Sequence, residues 1–370
     1  MTTPATADMD IQSHDDGSRV TVTVDTGGPQ APPHHLLNAL RLALGMVPQV
    51  GANPSLDALD EVFAVEKNET GMTNEKLCHR VAMLPMAYTR EQVAGYESGE
   101  LSIDMTAAGR VREVTAADIA GVAPSVFPKG RASGEHVVLA YLQPGKSLKM
   151  SWRPSVGTAA VHAAFDNISQ RTLCNVPDEA VMEERFREWA QGPEGERARA
   201  QHADPRAFFE AAYGERCFAM TPAGLPAKVC LTVESENRAT SALDFVRWGV
   251  DVLEERVNAF EEFFNRDSRY SEAGPVARFE LDAPSLGFVG QLVKEAAYDL
   301  FVAPASGRGP PVLSWCACRT VHPLDTMFVL SMCPPAGERT SEDASRGMVR
   351  DAVSVLYEQI GRLRLALADP

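Results

Sequence analysis

The stretch Val246-Arg-Trp-Gly-Val250-Asp-Val-Leu253-Glu-Glu-Arg-Val257-Asn-Ala-Phe260-Glu-Glu-Phe-Phe264 decides the fold. Its apolar residues Val246, Val250, Leu253, Val257, Phe260 and Phe264 recur at spacings of three and four, the period of one helix face. A second stripe of the same kind, Val349, Val353, Leu356, Ile360, Leu363 and Leu367, lies near the end of the chain. Each stripe is too long to be buried against one small sheet, and two such helices packed on one another remove the problem.

Working outward from each stripe, the same order of elements recurs. Ahead of the first, Arg19-Val-Thr-Val-Thr-Val24 alternates as a half-buried strand does, and Leu36, Leu37, Leu40, Leu44 and Val47 follow at helical spacing, with Pro48 as the stop. Asp57 to Val65 reads as a strand, and Asn74 to Met86 as a segment stopped by Pro85. Strand character returns at Lys228 to Val233, just before the first stripe. Residues 265–274 are polar and read as a linker. Beyond them come a strand, Val276 to Asp282, and a helix with Leu286, Val289, Val293, Ala296 and Leu300 on one face. Two strands, Val312 to Arg319 and Met327 to Cys333, flank the turn Val321-His-Pro-Leu-Asp325, where His322 would fix the hairpin geometry. Thr340 and Asp343 offer a capping box for the last helix. This is an α+β chain with a duplicated layout: residues 18–86 and 227–264 form a first module, 275–370 a second, and 1–17 a disordered tail.

Residues 87–226 have a different character and read as an inserted, mainly-β domain, with many Gly and Pro and short apolar runs such as Val137-Val-Leu-Ala-Tyr141. Within it, the charged run from Glu179 to Arg199 carries Phe186 and Trp189 at i,i+3, an amphipathic surface helix with Glu183 to Glu188 on its solvated side. The Gly192-Pro-Glu-Gly-Glu196 break and the polar run after it read as a mobile loop.

Composition excludes several classes of function. The formal net charge is -15, and no basic stripe is present to replace phosphate counterions, so contact with nucleic acid would come through partners rather than from this chain. Seven cysteines, an odd and scattered set without a CxxC pair, argue against a disulfide framework and a zinc site, and Cys316 and Cys318 read as small core residues of a strand. No apolar run reaches membrane-spanning length and no signal-peptide core is present, so intracellular residence is expected. There is no glycine-rich phosphate loop, no HExxH and no aspartate triplet, so we expect no catalytic site, metal or cofactor. Cys78 and His79 are neighbours whose side chains point apart, which rules them out as a nucleophile–base pair. Glu66 and Asn68 read as turn and cap residues.

Asn38-Ala-Leu-Arg41 followed by Val47-Pro48, then Val65-Glu-Lys-Asn68, Thr70, Glu75 and His79-Arg-Val-Ala-Met-Leu-Pro-Met86, resembles the α-like subunits of multisubunit DNA-directed RNA polymerase, the family of bacterial α, archaeal D and the third-largest subunit of the eukaryotic enzyme. Leu142-Gln-Pro-Gly-Lys-Ser-Leu-Lys149, Gly157, His162-Ala163 and Leu231-Thr-Val-Glu-Ser235 extend the similarity. Ser285-Leu-Gly287 and His322-Pro-Leu-Asp325 resemble the smaller partner, archaeal L or the eleventh eukaryotic subunit. Leu42 departs from the family's second Arg, Phe165 from its Trp, and Phe288 from the Asn after Leu-Gly.

The resemblance implies two α-like dimerisation modules fused in one chain and paired within it as a monomeric pseudo-heterodimer. It implies a non-catalytic assembly subunit whose partners are the largest and second-largest polymerase subunits and the small subunits. Asn38, Arg41, Glu75, His79 and Arg80 would face the large subunits, with Arg41 on the second-largest, since a guanidinium fork suits carboxylates and carbonyls. Leu40, Leu44, Leu253, Val257, Phe260, Leu286, Gly287, Val293, Leu356, Ile360 and Leu363 would form the internal pairing, with Gly287 permitting close helix approach. Such fusions occur in some large DNA viruses, which implies a nuclear, or virion and host-cell, location. Two other readings predict different behaviour: a regulatory mimic would bind polymerase subunits outside the active enzyme, and a small-molecule enzyme would use the glycine-rich insert as its pocket.

Overall fold

The computed structural model describes residues 9–26, 33–55, 57, 59–84, 86–97, 99–121, 137–221, 224–237, 239–303, 310–320, 326–336 and 338–368. The chain begins with strands β1 (Met9–Ser13) and β2 (Arg19–Asp25), helix α1 (His34–Leu44) and the short strand β3 (Gln49–Gly51). A one-turn helix α2 (Leu59–Val62) leads into β4 (Phe63–Asn68), α3 (Asn74–Ala82) and α4 (Arg90–Ala94). Then come β5 (Leu101–Thr106), β6 (Arg112–Thr115), β7 (Ala120–Gly121), β8 (Val138–Leu142), β9 (Ser147–Trp152), β10 (Ser155–Gly157) and β11 (Gln170–Asn175). Three helices follow, α5 (Glu179–Gln191), α6 (Pro193–Gln201) and α7 (Pro205–Tyr213), before β12 (Lys228–Glu234) and the long α8 (Ala242–Asp267). The last part holds β13 (Arg269–Ala273), β14 (Val276–Asp282), α9 (Gly287–Ala297), β15 (Trp315–Thr320), β16 (Met327–Cys333) and α10 (Glu342–Ala368).

Two of the sheets share one plan. The first runs β1-β2-β12-β11 and the second β13-β14-β16-β15, each antiparallel throughout. In both, a strand pair precedes a short helix (α1 or α9), a second pair follows, and a long helix closes the unit (α8 or α10). The alternation that makes β2 a strand also sends Val20, Val22 and Val24 inward, and in β14 Ala277, Phe279 and Leu281 do the same.

The units join through their long helices. Arg247 near the start of α8 donates to the carbonyl of Leu367 near the end of α10, at 2.8 and 3.0 Å. Further along, Arg364 reaches Asp251 and Glu254 at 2.8 and 2.6 Å, the Tyr357 hydroxyl reaches Asn258 and Glu261, and Arg350 reaches Asn265. Numbers rise along one helix as they fall along the other, so the pair is antiparallel. Between these polar margins Leu253, Val257, Phe260, Phe264, Leu356, Ile360, Leu363 and Leu367 are buried in one continuous core. At the far end Arg346 donates to Ser268, the one residue separating α8 from β13, and lies over the rings of Phe264 and Phe279. The passage from one unit to the other is therefore gripped by α10.

The remaining strands form a body of their own between α1 and β11: a sheet of order β4-β9-β5-β7, the pair β6-β8, and the two-stranded β3-β10.

Several expectations are corrected. Met9–Ser13, placed in a disordered tail, forms β1, because Met9 and Ile11 pack half-buried while the polar residues face outward at a sheet edge. The expected strand from Asp57 to Val65 is a helical turn whose strand starts only at Phe63, and that strand pairs with β9 in the inserted body rather than in the first module. Conversely β11, expected inside 87–226, is an edge of the first sheet. The inserted region carries helices α4 to α7 beside its strands, so its mainly-β character holds only for the part before residue 176. Residues 265–274 are not a linker: α8 runs through Asp267, and β13 turns back at Gly274, whose φ of +65° suits glycine. The break at Gly192–Glu196 starts α6, with Pro193 in the first turn where its missing N–H costs nothing. Ser341, not Thr340, caps α10, accepting from Ala344 N–H at 3.2 Å. The segment from Asn74 ends its helix at Ala82; Pro85 and the turn 321–325 lie outside the described residues.

Close approach of α1 to α8 requires Gly249, where an added Cβ would lie 2.8 Å from a Leu44 methyl and 3.1 Å from one of Leu40. Gly249→Val is expected to lower unfolding free energy by about 1–3 kcal/mol in urea titrations, the usual cost of overpacking. Gly347→Ala on α10, where nothing stands within 4 Å of the new methyl, is expected to leave stability unchanged or raise it by up to ~1 kcal/mol.

Candidate functional site: the joint between units and the face beside it

Four polar side chains from distant parts of the chain meet in the interior. The Tyr88 hydroxyl donates to Gln49 Oε1 at 3.1 Å and accepts from Asn167 Nδ2 at 3.0 Å, while Asn167 N–H donates to the same Gln49 oxygen at 2.8 Å. Asn167 Oδ1 accepts from Met86 N–H, and Asn237 clasps the Tyr88 backbone from both sides, accepting from its N–H and donating to its carbonyl. The inserted body is thereby fixed to the approach to β11 and to α8. Burial pushes the Tyr88 phenol far above its ordinary range, so it stays protonated and serves as a strut. Sequence reading passed over all four residues.

Beside this strut the expected docking residues come together. Arg41, in the last turn of α1, donates from Nε to Asn38 Oδ1 at 3.1 Å, which holds the guanidinium fork along the helix surface. The carbonyl of Gly45, just past that turn, accepts from Ala160 N–H, so the 158–162 turn sits on the end of α1. Gly157 lets the ring of Phe165 press on that turn: an added Cβ would stand 2.6 Å from the ring. His162 in the same turn is 6.3 Å, ring to ring, from His79 of α3. Arg80 donates to the Leu139 carbonyl at 3.1 Å, and Glu75 lies one turn before His79 on the same helix face, exposed. The end of α1 that carries Asn38 and Arg41, and His79 of α3, thus both approach the 158–162 turn. Exposed apolar side chains lie on the same elements: Leu42 is 38% exposed, Met83 55% and Val161 70%. Leu42, at the position where the sequence departs from an Arg, adds apolar surface instead of charge.

The residues expected to pair the helices are inside. Leu40 and Leu44 bracket Gly249, and Leu253, Val257, Phe260, Leu286, Val293, Leu356, Ile360 and Leu363 are all buried. Gly287 is a correction: an added Cβ there would find Phe328 at an ordinary 3.9 Å, whereas Gly290, one turn on, would meet the same ring at 2.6 Å. Gly290 is the residue that lets α9 lie close on its sheet.

Where α1 meets α9, charge and burial compete. His35 is pushed down to about 4, first by burial, with Glu295 opposing and His34 and Lys294 adding to the drop, and its Nε2 is buried without a hydrogen-bond partner. His34 is lowered for the same first reason. The thiol of Cys78 is pushed up to about 11 by burial, so at neutral pH it is no nucleophile. Cys316 and Cys318, raised to about 11 and about 12 by burial, are half-buried and pack against the core beside α9 rather than inside it. An open cavity of about 710 Å³ at the end of α8 is lined by Phe263, Asp267, Arg269, Glu280, Asp282, Thr326 and Met327, with the Thr326 hydroxyl donating to the Asp282 carboxylate. Among the described residues no group of His, Cys, Asp or Glu is arranged to hold a metal ion, and no helix is long and apolar enough to cross a membrane.

The chain matches no model of a known protein family, and no curated protein matches it.

The His35 geometry makes the joint acid-sensitive. The folded state favours the neutral ring, so its contribution is complete above the ordinary His value of 6.5 and is lost as pH falls toward about 4. His35→Phe is expected to flatten the pH dependence of the urea midpoint between pH 6.5 and about 4, removing on the order of 2–3 kcal/mol of acid destabilisation. An unchanged slope in the variant would place the acid response elsewhere.

Proposed function

We propose that the chain is a non-catalytic assembly subunit of a DNA-directed RNA polymerase, with two α-like modules in one polypeptide. The observation that carries this reading is the repeated unit. Two four-stranded sheets of identical order, each followed by its long helix, face one another through those helices; the residues that resemble α-like subunits lie in the first unit and the inserted body, and those that resemble their smaller partners lie in the last part of the chain. Pairing that separate subunits achieve by association is here intramolecular, which replaces a bimolecular equilibrium by a high effective concentration.

The stretch from Asn38 and Arg41 across the 158–162 turn to His79 and Arg80 is the proposed docking face for the large subunits. It combines cations with exposed apolar side chains, the mixture that supplies both orientation and binding energy at a protein interface. Partners would contribute the catalytic aspartates and the grip on nucleic acid, since this chain has a formal charge of -15.

The test is affinity capture of the tagged chain from its source, with mass spectrometry and a promoter-independent RNA-synthesis assay on the eluate. Near-equimolar recovery of the two largest polymerase subunits with activity is expected. Val161→Glu, at a position 70% exposed, is expected to reduce that recovery at least about tenfold without changing thermal unfolding. Recovery of polymerase subunits without activity would identify a regulatory mimic, and capture of none at low salt would contradict the proposal.

A further inference from the structure

β11 and β12 form the stem through which the chain leaves the first sheet for α5, α6 and α7 and then returns. At that stem Cys174 stands directly opposite Cys230 in the antiparallel register. Both are free thiols, Cys174 exposed and Cys230 half-buried. Val229, Leu231 and Val233 point into the core, so the two cysteines share the outer face. Val176 N–H donates to the Lys228 carbonyl two positions along, which makes Cys174 and Cys230 a hydrogen-bonded pair of the ladder. The Cα atoms of such a pair lie about 5.5 Å apart, inside the range a disulfide spans. Proximity also shows electrostatically: after burial, Cys230 is the first group that raises the Cys174 thiol, which keeps the reactive thiolate a minor form and the pair slow to oxidise except under peroxide.

We propose that Cys174 and Cys230 form a reversible, peroxide-driven disulfide that locks the stem of the α5–α7 appendage. In the first step one thiol gives up its proton and the thiolate attacks hydrogen peroxide; the O–O bond breaks, a sulfenic acid forms, and the departing hydroxide takes up that proton to leave as water. The second thiolate then attacks that sulfur, the S–O bond breaks, and a second water leaves. Two thiols and one peroxide become one disulfide and two waters. Side chains at a hydrogen-bonded pair splay wider than at the alternate pairs, so closure twists the stem. A bond made under such strain is easily reduced again, which suits a switch better than a permanent staple.

Closure encircles residues 174–230 in a covalent ring. Open, the appendage is tied to the sheet at its base by the ladder and by the Asp178 N–H bond to the Cys217 carbonyl at 2.7 Å. Its helices pack on each other through Phe186, Trp189, Phe209 and Tyr213, so the stem governs how the whole three-helix group is presented.

The experiment treats the intact reduced chain with hydrogen peroxide, denatures it in acid, alkylates the remaining thiols under denaturing conditions and maps the peptides by mass spectrometry. Two of the seven cysteines are expected to resist alkylation, joined as a 174–230 peptide pair, and dithiothreitol is expected to restore both. Limited proteolysis within α5–α7 should then yield fragments that stay together until reduced. Cys174→Ser and Cys230→Ser should each lose the cross-link while leaving circular dichroism unchanged. Independent oxidation of the two thiols to sulfinic acids, or a cross-link joining other cysteines of the folded chain, would overturn the proposal.

Discussion

The apolar stripe of α8 has two faces to cover and only one sheet of its own. Val246, Val250, Leu253, Val257, Phe260 and Phe264 are buried, and a four-stranded sheet cannot reach the side of the helix that turns away from it. α10 carries the same excess from the second unit. Each large aliphatic or aromatic side chain withdrawn from water contributes about 1.5–3 kcal/mol, so either unit alone would leave several such contributions unrealised. Pairing α8 with α10 satisfies both at once, and the placement of every other element follows. α1 crosses α8 at Gly249, α9 reaches α1 on the other side, and the inserted body hangs from the end of α1.

Polar residues along the seam decide how the helices pair rather than how strongly. Arg247, Arg350 and Arg364 each find one partner set that exists only in the antiparallel alignment. The Arg364 ion pairs and the Arg247 and Arg350 hydrogen bonds are each worth about 0–1.5 kcal/mol, so their sum is small beside the buried stripe. Their value lies in excluding other registers, since a slip by one turn would strand all of them. Arg346 differs because it grips Ser268 and two aromatic rings at the point where the chain changes unit. The connection there is a single residue, so the chain itself limits the ways the second unit can approach the first.

Much of this frame was legible because it rests on period. Val276–Asp282 and Met327–Cys333 are strands over the very bounds that alternation and apolar content indicate, and both long helices follow their stripes. The elements that escaped reading bury little. β1 and β13 lie at sheet edges, where one side of the strand meets solvent and polar residues carry no penalty. α6 begins with Gly and Pro, which mark a break by composition and a helix start by position. At the candidate site, Arg41, His79 and Arg80 were found through family-like motifs, whereas Gln49, Tyr88, Asn167 and Asn237 were not. Lone polar residues separated by tens of positions leave no periodic trace, and only the folded chain shows that they share hydrogen bonds. His35 was missed for a related reason: a histidine at a helix start looks solvated until a second unit covers it.

The proposed assembly role depends on the two units closing on each other within one chain instead of exchanging partners between chains. Sedimentation velocity of the purified protein from nanomolar to micromolar concentration addresses that directly. A single species with the mass of one chain at every concentration is the predicted result. A stable dimer at nanomolar concentration would mean that α8 of one molecule pairs with α10 of another, and would contradict the closed arrangement on which the rest is built.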